Sequence, residues 1–185
     1  MFFMDFDTVR RLQARKFMVT LSGTVPAFNG PQAGVLELIQ PIQQGFHFWS
    51  EIMTLTFTTL DNAGADDGVN RLTCQFKDGG NQLGLSNTFI DLATLSAPGR
   101  QGSVGIAGNP SNQLATVGIP FPHLWLGTGS VNADLRNSSN TANQFRCTLN
   151  GYLIPESRIH LFDQWVGGPS SPAADIPVLA ANGQG

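Results

Sequence analysis

From Phe17 onward, apolar and polar residues alternate with a period of two, the pattern of half-buried β-strands. Phe17–Val25 alternates loosely and stops at Pro26, and Val35–Gln40 is a short strand candidate between Gly34 and Pro41. Phe46–Leu60 is the longest apolar stretch. In its second half Met53, Leu55 and Phe57 face one way, and Thr54, Thr56 and Thr58 the other. Branched threonines suit a pleated surface, so this is a strong strand signal. Val69–Phe76, Ser130–Arg136 and Gln144–Ile154 alternate cleanly. Phe89–Thr94, Val104–Ala107 and Leu114–Phe121 are broken by Gly and Pro, and Arg158–Phe162 reads as a short last strand. Turn-rich clusters at 61–68, 78–81 and 137–143 separate these segments. Eight to ten strands with turns between them, and helix only at the start, predict an all-β fold: an antiparallel β-sandwich, jelly-roll-like.

The two ends break the pattern. In residues 1–16, Phe2, Phe6, Val9 and Leu12 recur at three- and four-residue spacing, as on one face of a short amphipathic helix. Asp5 and Asp7 lie near its start, and Arg10, Arg11, Arg15 and Lys16 near its end, as the helix dipole favours. Residues 166–185 are rich in Gly, Pro, Ala and Ser and read as an extended tail. The predicted organisation is an arm (1–16), a sandwich (17–165) and a tail (166–185), with both ends reaching a neighbour.

Composition narrows the function. Only 12% of residues are charged, and 13 Asn, 12 Gln, 14 Thr and 12 Ser carry the polarity instead. The 41% hydrophobic content with 13 Phe is too apolar for a disordered chain. The longest apolar runs fall short of the roughly 18 residues of a membrane helix, so no membrane partner is expected. A net charge of −3 makes nucleic acid an unexpected partner. No basic n-region precedes Met1–Asp7 and no cleavage site follows, so no signal peptide is read and cytoplasmic synthesis is the expectation. Cys74 and Cys147 fall at inward positions of alternating strands and read as buried thiols, with a disulfide the lesser alternative.

Candidate chemistry is sparse. Glu51 and Asp61 could be imagined as paired carboxylates, but the segment between them is unconstrained. His47, His123 and His160 are scattered, each reading as a structural imidazole. The acidic stretch 61–67 lacks the order and closing Glu of a calcium loop. No nucleophile elbow, phosphate loop or zinc-protease motif occurs. Hence no catalytic residue, metal or cofactor is assigned, and no enzyme is expected. Trp49 and Trp125, if exposed, could stack on sugars, but their apolar neighbours favour core or interface packing. Trp165 stands beside the tail and could anchor it. The basic arm could touch DNA or dock on a subunit. Docking is favoured, because Phe2, Phe3 and Phe6 need burial more than Arg10 or Arg15 needs phosphate.

The second half carries a further pattern. Pro120-Phe121-Pro122-His123-Leu124-Trp125-Leu126 precedes Gly129-Ser130-Val131-Asn132-Ala133-Asp134-Leu135-Arg136-Asn137-Ser138-Ser139, and Phe145-Arg146-Cys147-Thr148-Leu149-Asn150-Gly151-Tyr152-Leu153-Ile154 closes it. This resembles the closing strands of small β-sandwich virion proteins of tailed bacteriophages, and Phe46–Phe57 resembles their matching early strand. The likeness covers roughly two thirds of the chain and departs from it in the arm and the tail. It implies a virion location and a capsid decoration (cement) protein that binds the outer shell as a homo-oligomer, a trimer in preference to a dimer. Its partners would be itself and the major capsid protein or another virion protein. The alternatives are another head, neck or tail component, or a carbohydrate-binding module used in host attachment. Phe2, Phe3, Phe6, Arg10, Arg11, Arg15, Lys16 and Trp165 are the candidate contact residues.

Overall fold

The computed structural model describes residues 3–28, 34–58, 71–80, 83–92, 95, 100–101, 113–116 and 118–167. Helix α1 (Phe6–Leu12) leads into strands β1 (Arg15–Val25), β2 (Gly34–Pro41), β3 (Phe46–Thr58) and β4 (Leu72–Asp78). Four short strands follow: β5 (Leu83–Gly84), β6 (Ile90–Asp91), β7 (Arg100–Gln101) and β8 (Gln113–Thr116). Then come β9 (Ile119–Trp125), β10 (Ser130–Asn137) and β11 (Asn143–Pro155). A 3₁₀ turn (Glu156–Arg158) enters helix α2 (Ile159–Gly167).

The strands form two antiparallel sheets. One runs β1-β11-β3-β8-β7, with β9 also paired to β3, and the other β2-β10-β4-β5, with β6 also paired to β4. Successive long strands change sheet, from β1 through β4 and again from β9 through β11. The last two strands take central places, β11 between β1 and β3, and β10 between β2 and β4. This is the two-Greek-key order of a double-sheet jelly roll. The all-β sandwich expected from the alternation is the fold.

The core follows that alternation. Met53, Leu55 and Phe57 of β3, Leu72, Cys74 and Phe76 of β4, Val131, Ala133 and Leu135 of β10, and Phe145, Cys147 and Leu149 of β11 are buried together. Both cysteines are free thiols in this core, and desolvation pushes both above the usual thiol range.

Three expectations need correction. The segment predicted as a last strand, Arg158–Phe162, is helical, because Ile159, Phe162 and Trp165 recur every three residues and bury one face against Trp49. Arg15 and Lys16, assigned to the arm, open β1 and pair with Leu153 and Tyr152. Helix α1 forms where expected, but its predicted face is rotated. Thr8 and Leu12 are buried while Phe6 is 80% exposed. The cause is long-range: the Met4 amide donates to the buried Glu51 carboxylate (Oε1, 2.6 Å), which sets how the helix meets the sheet. Val69, the cluster at 61–68, Val104–Ala107 and residues 168–185 lie outside the described residues.

Candidate functional site

The outer face of the six-stranded sheet holds the most coherent set of polar side chains. Along β1, Thr20 and Ser22 point away from the core, between buried Val19 and Leu21. Register places Thr20 opposite Thr148 of β11 and Thr148 opposite Thr54 of β3. Ser22 in turn meets Arg146, and Arg146 meets Thr56. The Thr20 and Thr148 hydroxyls lie 3.2 Å apart, and the Thr54 hydroxyl donates to the Thr148 carbonyl (3.4 Å). Arg146 is the only charge in these two rows. Short hydroxyl side chains at this spacing line the outer face with hydrogen-bonding groups, and Ser22, Arg146 and Thr56 border a hollow of about 340 Å³.

Beside these rows the sheet is interrupted. Gly151 pairs with Ser50 and Asn150 with Ile52, so Glu51 is an extra residue in β3, a bulge. The bulge switches the inward positions of β3 from Phe48 and Ser50 to Met53, Leu55 and Phe57. It depends on Gly151, where an added Cβ would lie 1.9 Å from the Trp49 carbonyl oxygen. A groove of about 590 Å³ crosses the strands here. Lys16 and Met18 of β1 form one side, Asn150 and Tyr152 of β11 the middle, and Glu51 and Ile52 of β3 the far side. Phe17 also lines it. Glu51 is 9% exposed, and its single hydrogen bond among the described residues comes from the Met4 amide. Burial, and then the Glu51 charge, raise the Tyr152 phenol above its ordinary range.

The remaining end of this face is covered. Helices α1 and α2 bury Met4, Leu12, Trp49, Ile154 and Phe162 in a second apolar cluster, separate from the sandwich core. Trp49 lies 5.1 Å from Phe162 and 6.0 Å from Trp165, centroid to centroid.

The other polar groups tie the sandwich together. Trp125 is fully buried, and its indole N–H donates to Ser50 Oγ (3.1 Å), which donates to the Phe121 carbonyl (2.8 Å). His123 of β9 meets the buried Asp78 of β4 at 3.0 Å, a bridge between the two sheets, and its ring stands edge-on to Trp125. The Ser50 hydroxyl spends itself on a main-chain carbonyl rather than on an imidazole, so Ser50, His123 and Asp78 do not form a nucleophile relay. His47 Nδ1 accepts from the Gly127 amide (3.3 Å), and His160 is exposed on α2. Among the described residues no three His, Cys, Asp or Glu side chains gather as metal ligands.

The predicted contact residues fall in distinct places. Phe2 lies outside the described residues, as does Asp61, the suggested partner of Glu51. Phe3, Phe6, Arg10 and Arg11 are exposed on the N-terminal segment, and Arg15 and Lys16 are exposed at the start of β1. Within the single chain the buried residues of this segment are Met4, Thr8 and Leu12. Trp165 packs on Trp49 and Phe162 of its own chain. Trp49 and Trp125 are not surface aromatics: one lies beneath the helices, the other in the core. The groove was missed, although the polar pair Ser50-Glu51 inside an apolar run was its visible signal.

Compared with known protein families, curated proteins and solved structures, the chain matches none of them.

Proposed function

We propose that this chain is a virion structural protein, a capsid decoration protein that binds an outer shell and copies of itself through the outer face of the six-stranded sheet. The observation that carries this reading is the pair of hydroxyl rows, Thr20–Thr148–Thr54 and Ser22–Arg146–Thr56, beside an apolar groove on one open sheet face. Such a face offers hydrogen bonds, directly or through water, with little dependence on ionic strength. Double-sheet jelly rolls also serve in viral shells. The bound subunit would stabilise the assembled lattice by mass action, since it binds the closed shell and not its dispersed parts. A trimer on a threefold position is the arrangement proposed. A glycan-binding role gains no support, because Trp49 and Trp125 present no ring to a sugar.

Immunogold electron microscopy with antibody raised against the purified chain tests the reading. Labelled particles are expected in lysates that contain the protein. Label confined to particle-free fractions would overturn it.

A further inference from the structure

The hollow bordered by Ser22, Arg146 and Thr56 lies between two rows of polar side chains. These three form one row across β1, β11 and β3, and Thr24 and Gln144 stand opposite each other in the next. Phe57 and Phe145, between the rows, turn into the core, so main chain forms much of the floor. The chemistry of the hollow is one-sided. Arg146 carries a guanidinium with several N–H donors, and Ser22, Thr24 and Thr56 each carry a hydroxyl. None of these four side chains is hydrogen-bonded or ion-paired to another described residue. No acidic side chain lines the hollow. Across the strands Arg146 faces a hydroxyl residue on each side, where a carboxylate would pair with it.

We infer that this hollow binds a phosphate group, free or carried as a monoester, with Arg146 as the charged anchor and Ser22, Thr24 and Thr56 as flanking donors. A guanidinium fork meets two oxygens of a phosphate at once. A phosphate group has further acceptor oxygens and more than one negative charge near neutral pH, so it also uses the hydroxyls on either side of Arg146. A carboxylate is planar and has two oxygens. The fork alone satisfies it, and the hydroxyls go unused. A hollow of about 340 Å³ has room for more than the phosphate itself, and Thr24 and Gln144 suit a hydroxylated body such as a sugar. The inference goes beyond the virion reading and does not rest on it.

The test is nitrogen-15 NMR on the labelled full chain, titrated with inorganic phosphate, glucose 6-phosphate and acetate at constant ionic strength and about pH 7.5. Amides of Ser22, Gly23, Thr56, Phe145 and Arg146 should shift and saturate with a Kd on the order of 1 mM. Tighter binding of glucose 6-phosphate marks a monoester as the ligand, and tighter binding of inorganic phosphate marks the free ion. Arg146→Gln should weaken either one at least about tenfold. Thr56→Val keeps the branched shape that suits a strand and should weaken phosphate about threefold while leaving acetate unchanged. Both side chains lie on the outer face, and unchanged resonances elsewhere show that each variant is folded. Shifts that do not saturate by about 20 mM, acetate binding as tightly as phosphate, or full phosphate affinity in either variant would each overturn the inference.

Discussion

Gly151 keeps two main chains in contact at the bulge, and the atom facing it is a carbonyl oxygen that cannot swing aside as a side chain could. Gly151→Ala is therefore expected to cost about 1–3 kcal/mol or more, as overpacked sites do. Urea unfolding would read this, and an unchanged midpoint would contradict the bulged register. A position of this kind is only partly visible in a sequence. In β3 the apolar phase slips between Phe48 and Met53, an odd spacing that betrays an inserted residue, and Ser50 and Glu51 mark where it falls. Nothing local marks Gly151 as the residue opposite, since it pairs with Ser50, on a strand far away in the sequence. The exposure of Phe6 was equally out of reach. Spacing alone groups Phe6 with Val9 and Leu12, and the contact that rotates the helix joins Met4 to a carboxylate 47 positions away.

Among the elements, α1 is the least supported by its own length, because seven residues hold few internal hydrogen bonds. Its ends supply what the middle lacks. Asp5 accepts from the Thr8 amide (2.7 Å), a bond that lowers the Asp5 carboxyl below its usual range. At the other end Gln13 turns left-handed (φ 53°) and its amide reaches back to the Arg10 and Val9 carbonyls. Asp5→Ala should speed hydrogen exchange in Thr8–Leu12 while the strands keep their protection. Equal protection in both would mean that packing on α2 alone holds the helix. The long strands were legible because each buries one face, so period two is written into β4, β10 and β11. Helix α2 was misread because Ile159 and Leu161 imitate strand alternation over a few residues. The spacing of Ile159, Phe162 and Trp165 decides the matter only once Trp49 is known to lie on that side of the sheet.

For the whole molecule, the two core thiols couple stability to pH. Burial raises both above the ordinary value of 9.0, so the folded chain keeps protons that the unfolded chain gives up. Their contribution is complete below about pH 9 and is lost as pH rises beyond it. Tyr152, raised from 10.0, acts in the same direction at higher pH. Urea unfolding from pH 7 to pH 11 should therefore show a plateau and then a decline, whereas a flat profile would contradict the burial of Cys74 and Cys147. The sequence made the two-layered sandwich readable but not which strand lies beside which, and that order has a consequence for biosynthesis. A ribosome delivers β10 and β11 after every other described strand, yet among these β2 pairs only with β10, and β1 only with β11. Neither sheet can close on a nascent chain. The early strands must wait with open edges, prone to wrong partners, until the last two emerge from the exit tunnel. A transcript cut short before Asn143 would yield an aggregating fragment rather than a smaller sandwich, and the intact chain should fold slowly, as proteins dominated by distant pairings do.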